Sequence, residues 1–236
     1  MISPRAPERK SRSTSPHDAP PSSLPVKRLR RLRLAELPID TVELARYLIG
    51  AVIVRDGPEN REAPEGPVGR GGRTAVRIVE TEAYLPGDPA CHAYRRETAR
   101  NGTLFRRRGL AYVYFIYGVH FCLNVSSERE GVGAGVLLRA GEPLAGLDVM
   151  RRRRPGVRDR DLARGPGRLA LALGITRADD GSDLCAPGGL WLAAHPTPAG
   201  PLGESVRIGL TKGADRLLRY FERDSPHASG PASLNR

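Results

Sequence analysis

Glu80 and Glu82 stand two residues apart in the run Arg77-Ile78-Val79-Glu80-Thr81-Glu82-Ala83-Tyr84, and a loop then brings His92. The run alternates with a period of two, which predicts a strand with Val76 and Ile78 on one side and Arg77 and Val79 on the other. Continued unbroken, that alternation puts both carboxylates on the face of Ile78. Burying a carboxylate is costly unless it is paired. The pattern therefore reads as an edge strand with a wet face or as a site. An acid, an aromatic plate and an imidazole meet at the end of one ordered element, and general acid–base chemistry uses these side-chain types.

Other elements must hold that strand. Asp40 reads as a helix N-cap, with Val42, Leu44, Ala45, Leu48 and Ile49 as the apolar face and Gly50 as the stop. Ala51 to Val54 is a short apolar strand, and 56–72 a Pro- and Gly-rich surface excursion. From Ala111 the chain reads as a hairpin reversing at Gly118. Tyr112, Tyr114 and Ile116 share one face of its first arm, and Val113, Phe115 and Tyr117 the other. Tyr117, beside the turn, has two readings: packing under a loop, or wedging between base pairs. Gly133 to Arg139 is a further strand, and Leu144 to Met150 a short helix. Arg151 and Arg152 begin a four-arginine run that reads as a solvated face or as phosphate contacts. Gly165-Pro166-Gly167-Arg168 opens an apolar helix, and a helix N-terminus with Arg168 beside it suits an anion. Val206–Leu210 and Leu217–Phe221 read as short strands, and the end from Ser225 as frayed.

The net charge is +12, mostly arginine, which makes bidentate contacts with phosphate. Residues 1–33 hold nine Lys or Arg against Glu8 and Asp18, a charge of +7, leaving +5 on the rest. The expected organisation is a basic disordered tail over 1–33, one domain over 34–225 and a short C-terminal tail over 226–236. The basic tail reads as a solubilising or DNA-clinging arm, or as plain disorder. Nucleic acid is the leading partner and an acidic membrane surface its competitor. The three cysteines, Cys91, Cys122 and Cys185, form no CxxC pair, so they suggest neither a zinc ribbon nor a disulfide scaffold. No secretory signal, membrane span, metal centre or cofactor motif is expected.

The central run, His92, Tyr112 to Gly118, Phe121 to Ser127, Leu137-Leu138-Arg139-Ala140, Gly165 to Leu169 and Arg207-Ile208-Gly209 together resemble the alkyladenine or 3-methyladenine DNA glycosylase family. The match runs in order from Leu34 to Asp224. The resemblance implies an α+β fold, a single mixed domain with a curved antiparallel sheet and a protruding DNA-inserting β-hairpin. It implies a monomer that binds damaged double-stranded DNA, flips a damaged purine out and hydrolyses its N-glycosidic bond. In those roles Glu82 activates water, Arg139 lies beside it, and the Ile208 main-chain carbonyl helps hold it. Tyr84, His92 and Tyr114 sandwich the base, Asn124 obstructs the amino group of guanine, and Tyr117 fills the vacated stack. The chain departs from mammalian members at Val119 and His120 in the hairpin, and at His227, where a tryptophan follows the proline. These positions bear on lesion range.

The residues suit that chemistry. Glycosidic cleavage makes an oxocarbenium-like sugar, which favours a nearby negative charge and a positioned water. Glu82 can serve both needs, with Arg139 keeping it ionised. The plainer alternative for this pair is a structural salt bridge. Outside the tail the only lysine is Lys212, so direct hydrolysis is expected in place of a Schiff base. The alternative functional class is a non-catalytic binder of distorted DNA. The expected location is the bacterial cytoplasm with the nucleoid, or the nucleus in a eukaryote.

Overall fold

β-Branched and apolar runs build nine strands in the computed structural model, which describes residues 29–57, 72–116, 118–195 and 197–235. They are β1 (Arg30–Arg31), β2 (Val52–Arg55), β3 (Thr74–Tyr84), β4 (Ala111–Ile116), β5 (His120–Ser126), β6 (Gly135–Ala145), β7 (Leu190–Ala194), β8 (Leu202–Ser205) and β9 (Arg219–Glu222). They form one curved antiparallel sheet in the order β1-β7-β2-β3-β6-β5-β4, and β9 joins β3 and carries β8. With the helices packed on it, this is a mixed α+β fold.

β3 is the strand that everything else flanks. Along one edge β2 pairs with Thr74–Arg77 and β9 with Glu80–Glu82, while β6 runs along the other edge. The strand is central, so the wet-edge reading fails: Glu80 and Glu82 are both fully buried. The unbroken alternation fails too. Ile78 and Ala83 lie in the same apolar cluster although they are five residues apart, an odd number. The β3–β6 register slips between Ile78 and Glu80 and again between Glu80 and Thr81. A β-bulge adds a residue to one strand, bends it and turns the side chains beyond it over. Past the slip it is Thr81 that faces the core, where its hydroxyl donates to the Ala45 carbonyl at 2.9 Å. Glu80 and Glu82 therefore take the opposite face from Ile78, which corrects the sequence expectation.

Three helices cover the apolar side. α1 (Thr41–Tyr47) starts where expected, its Asp40 carboxylate accepting from the Val42 and Glu43 amides, and it buries Leu44 and Ala45. α3 (Pro166–Leu173) buries Leu169, Ala170, Ala172 and Leu173 against β5 and β6. α2 (Leu147–Arg153) begins later than its sequence suggests, because Leu144 and Ala145 still belong to β6.

Two further expectations change. Residues 206–210 are not a strand: that strand lies earlier, at β8, and the loop after it turns toward Glu82. The end of the chain is not frayed over its described part. Ala228 and Ser229 are buried, and Ser229 donates to Glu80 through its backbone amide at 2.6 Å and through its hydroxyl at 3.0 Å. At the other end, residues 1–28 lie outside the described residues, as do 58–71. Arg30 and Arg31 pair with Ala194 and Ala193, and Leu32 is buried, so residues 30–32, which composition assigns to the tail, are part of the sheet and core.

The bulged crossing leaves no room at Gly141, where a Cβ would lie 2.5 Å from the Arg77 carbonyl oxygen. A backbone carbonyl in a sheet cannot swing aside. Gly141→Ala is therefore expected to destabilise the protein by about 1–3 kcal/mol. A thermal melt checks it, and an unchanged midpoint would show that the two strands do not approach so closely.

Candidate active site

β3 and β6 deliver the charged centre. The Glu82 carboxylate receives the Ile208 backbone N–H at Oε1 (2.8 Å) and the Tyr84 hydroxyl at Oε2 (2.9 Å). Arg139 Nη1 lies 3.3 Å from Glu82 Oε1, and its Nε 2.9 Å from Glu80 Oε1. Arg139 reaches both carboxylates because it is the unmatched residue in the slipped register, between Ala140, opposite Glu80, and Leu138, opposite Thr81. Glu80 is bound in turn by the fully buried Arg219, whose Nε donates to Oε1 at 2.6 Å. Two carboxylates and two guanidiniums form one buried, charge-balanced row, which is the arrangement that makes buried ions tolerable.

In front of this row lies a cavity of about 410 Å³, walled by aromatic rings. Tyr84, His92, Tyr112 and Tyr114 line it together with Asn124, Arg139 and the Ile208–Leu210 loop. Glu82 itself stands behind that wall, reached through Tyr84, Arg139 and Ile208. The His92 and Tyr114 rings meet edge to face with centroids 4.4 Å apart, and Tyr112 and Tyr114 lie 5.6 Å apart, tilted. Such pairs hold each other's planes. His92 Nδ1 is 2.9 Å from the Tyr112 hydroxyl. Asn124 pairs across the hairpin with Tyr112 and donates its amide N–H to the Tyr112 carbonyl at 3.2 Å. Pro166 and Gly167, at the start of α3, close the cavity near His120.

The pocket is built to carry little charge of its own. Burial, reinforced by Glu82, pushes the Tyr84 phenol far up, so its hydroxyl stays a donor. Burial also raises Tyr114, and it pushes Tyr112 up to about 12. His92 moves the other way: although the residue is exposed, desolvation of its ring against Tyr112 and Tyr114 first, then Arg100, lowers it and keeps the imidazole neutral at pH 7. The cavity thus presents neutral rings beside the Arg139 guanidinium, with the Glu82 carboxylate behind them.

The expected site residues Glu82, Arg139, Ile208, Tyr84, His92, Tyr114 and Asn124 therefore come together. Ile208 touches Glu82 through its amide N–H, a different atom from the carbonyl that the resemblance implies. Tyr117 lies outside the described residues. Its neighbours on the hairpin, Phe115 and Val119, are exposed apolar side chains. Arg168 is exposed at the start of α3, beside the cavity. Arg151 is held side-on by Asp159 at 2.8 and 2.6 Å, and Arg152 lies 3.3 Å from Asp148.

Sequence reasoning missed two supports. The fully buried Arg207–Asp88 pair lies behind Tyr84, with the Arg207 guanidinium 4.7 Å from the centre of that ring and Nη1 donating to the Ala83 carbonyl at 2.9 Å. Nothing in the local sequence marks residues 119 apart as partners. Tyr112 was legible in part, since it shares the alternating face of Tyr114. Among the described residues no cluster of His, Cys, Asp or Glu has the geometry to hold a metal, and no helix is long and apolar enough to cross a membrane.

Comparison with known proteins agrees with this architecture. A family described as methylpurine-DNA glycosylase matches residues 35–226. A Mesorhizobium japonicum protein named "Putative 3-methyladenine DNA glycosylase" is 56% identical over 200 residues, covering 85% of this chain and 90% of that one. Proteins of the same name from Paraburkholderia phytofirmans and Rubrobacter xylanophilus are each 48% identical, over 84% and 74% of this chain and 88% and 84% of their own.

The neutral-pocket electrostatics can be checked on His92. Its folded-state value lies below that of a free histidine, about 6.5. Above the free value the two states bind protons equally. As pH falls through it, the unfolded chain takes up a proton first, so stability is lost on acidification. Ring-nitrogen NMR of His92 is expected to show a neutral imidazole at pH 7 and a midpoint under the free value. A midpoint above it would mean that the ring is not desolvated.

Proposed function

The chain belongs to the methylpurine-DNA glycosylase family, and on that footing we propose that it extrudes alkylated or deaminated purines from duplex DNA into the aromatic cavity. The first substrate is 3-methyladenine, with 7-methylguanine and hypoxanthine as further ones. Water activated by Glu82 then hydrolyses the N-glycosidic bond and leaves an abasic site. The observation that carries this reading is a cavity of about 410 Å³ with neutral aromatic walls and the buried Glu82 carboxylate directly behind them.

The chemistry follows from the geometry. N3- and N7-alkylated purines are cationic, so the base is already a good leaving group. A cation between Tyr84 and the His92–Tyr114 pair gains ring overlap and cation–π attraction, and a neutral His92 does not repel it. Each carboxylate oxygen offers two lone pairs. Glu82 Oε2 accepts from Tyr84 alone among the described residues, so one direction remains for the proton of the attacking water. Its charge then stands beside the developing oxocarbenium ion. Asn124, fixed through the Tyr112 carbonyl, presents a set edge against the amino group that separates guanine from hypoxanthine. A lysine nucleophile is not among the lining residues, in keeping with hydrolysis without strand cleavage.

The remaining roles concern the duplex. The hairpin of β4 and β5 pairs with β6 only through Asn124–Ser126, and its far end carries exposed Phe115 and Val119. In this reading the hairpin enters the DNA as the monomer binds it, with Tyr117 filling the vacated stack. An inserted aromatic recovers about 1–3 kcal/mol of stacking, against a few lost on flipping. Arg168, and Arg151 and Arg152 once released from their acidic partners, are phosphate contacts in the same reading.

Two variants test the proposal. Glu82→Gln keeps the shape and loses the base, so it is expected to bind alkylated duplex and to release 3-methyladenine at least about a hundredfold more slowly in single turnover. Release at the wild-type rate would remove Glu82 from the activating role. Tyr117→Ala is expected to slow excision most in matched duplex, less at a mismatch and hardly at all in single strands, because less pairing must be broken. Equal slowing in all three contexts would make Tyr117 a packing residue instead of a wedge.

A further inference from the structure

The reading above uses Glu82 and leaves its neighbour Glu80 unused, although Glu80 is equally buried and more heavily bonded. Its Oε1 takes Arg219 Nε at 2.6 Å and the Ser229 hydroxyl at 3.0 Å, and it lies 2.9 Å from Arg139 Nε in an ion contact that lacks hydrogen-bond alignment. Its Oε2 takes the Ser229 backbone amide at 2.6 Å. Arg219 is just as fully committed. Nη1 donates to Ser205 Oγ (2.8 Å) and the Leu234 carbonyl (3.0 Å), and Nη2 donates to the Ser229 carbonyl (3.0 Å) and Asn235 Oδ1 (2.5 Å). With Nε on Glu80, all five donors of a guanidinium are used. This assembly joins β3, β9 and the last residues of the chain, and it has no freedom to relax.

We propose that Glu80 is a positioning residue: clamped by Arg219 and by the C-terminal Ser229, it holds the Arg139 guanidinium at the angle from which Arg139 meets Glu82. The end of the chain is then part of the active site, although it lines no wall of the cavity. A simple stitch between the C-terminus and the sheet would need only Arg219 and Ser229 on Glu80. Here Glu80 Oε1 also stands in ion contact with Arg139 Nε at 2.9 Å, and Arg139 lies where a register slip has left it unmatched between Glu80 and Glu82. Shared between two carboxylates, Arg139 keeps 3.3 Å from Glu82, longer than the 2.7–2.9 Å or so of a charge-assisted bond to one carboxylate. Without the charge of Glu80, Arg139 would close onto Glu82 and compete for the oxygens that must take the water proton.

The inference rests on the reading of Glu82 as the activating base, and the test separates the two. Glu80→Gln keeps the shape, removes the charge and puts amide hydrogens near donors. Its single-turnover excision is expected to fall at least about tenfold, since misplacing a catalytic group by about 1 Å costs on the order of a hundredfold. Its affinity for abasic-site DNA should stay within about twofold, because the aromatic walls are untouched and abasic DNA brings no base to the displaced Arg139. The Arg139 Nε–H resonance, assigned by Arg139→Lys and shielded from exchange in the wild type by its burial against Glu80, should be lost or exchange fast. Wild-type excision, or losses of excision and affinity that run in parallel, would overturn the proposal. Should Glu80→Gln fail to fold, Ser229→Ala removes one donor to Glu80 without changing any charge. It is expected to speed exchange of the Arg139 Nε–H and slow excision a few-fold, and unchanged values of both would overturn the proposal equally. Glu82→Gln run alongside keeps the two readings apart. If it excises normally, the base assignment falls, while the Arg139 resonance still reports whether Glu80 holds that guanidinium.

Discussion

Two carboxylates buried two residues apart on the central strand of a sheet are the constraint that the rest of this structure answers. Each isolated ion would cost several kcal/mol to desolvate. The sheet resolves this from both sides of β3. β6 brings Arg139 and β9 brings Arg219, so Arg219, Glu80, Arg139 and Glu82 alternate in sign. Removing one member of such a row leaves an uncompensated buried charge, commonly a loss of about 3–5 kcal/mol. The placement of β9 beside Glu80–Glu82 and the return of the C-terminal residues to Ser229 have a common effect: both supply donors to Glu80.

The same row shapes the cavity in front of it. Glu82 is presented to the pocket through Tyr84, whose hydroxyl it binds, and through Ile208. Behind Tyr84, Arg207 and Asp88 fix the ring and the strand end, and Arg207 also ties down Gly213 beyond the Ile208 loop. On the far wall the Tyr112–His92–Tyr114 contacts set ring planes by edge-to-face packing. The site is thus preorganised: its charge is locked before any ligand arrives, and its tyrosines are held neutral by burial. Catalysis by a fixed electrostatic environment depends on that rigidity.

A conflict between local and tertiary order lies at the centre of the fold. Strict alternation in β3 would aim Glu80 and Glu82 into the apolar core with Ile78. The bulge at Val79 breaks the phase, sends Thr81 and Ala83 to the core and turns the carboxylates to the face where the arginines wait. The same irregularity isolates Arg139 on β6. Bulges of this kind re-aim side chains beside active sites, at the cost of a disrupted ladder.

The sequence by itself determined the elements whose cause is local. The Asp40 cap, the hairpin about Gly118, the helix after Gly165-Pro166 and the strand Thr74–Tyr84 all follow from capping, turn chemistry and periodicity. Family resemblance also marked Glu82, Arg139, Tyr84, His92, Tyr114 and Asn124 as one group, and the fold brings them to one cavity and the carboxylate behind it. What only the tertiary structure decided were the pairings that act across great sequence distance: Glu80 with Arg219 and Ser229, Arg207 with Asp88, the Ile208 amide with Glu82. It also decided which face of β3 the carboxylates take. Periodicity carries no information on a bulge, because a bulge arises from the register of two strands, and a charge pair carries no local signature, because its energy exists only once both partners have left water together.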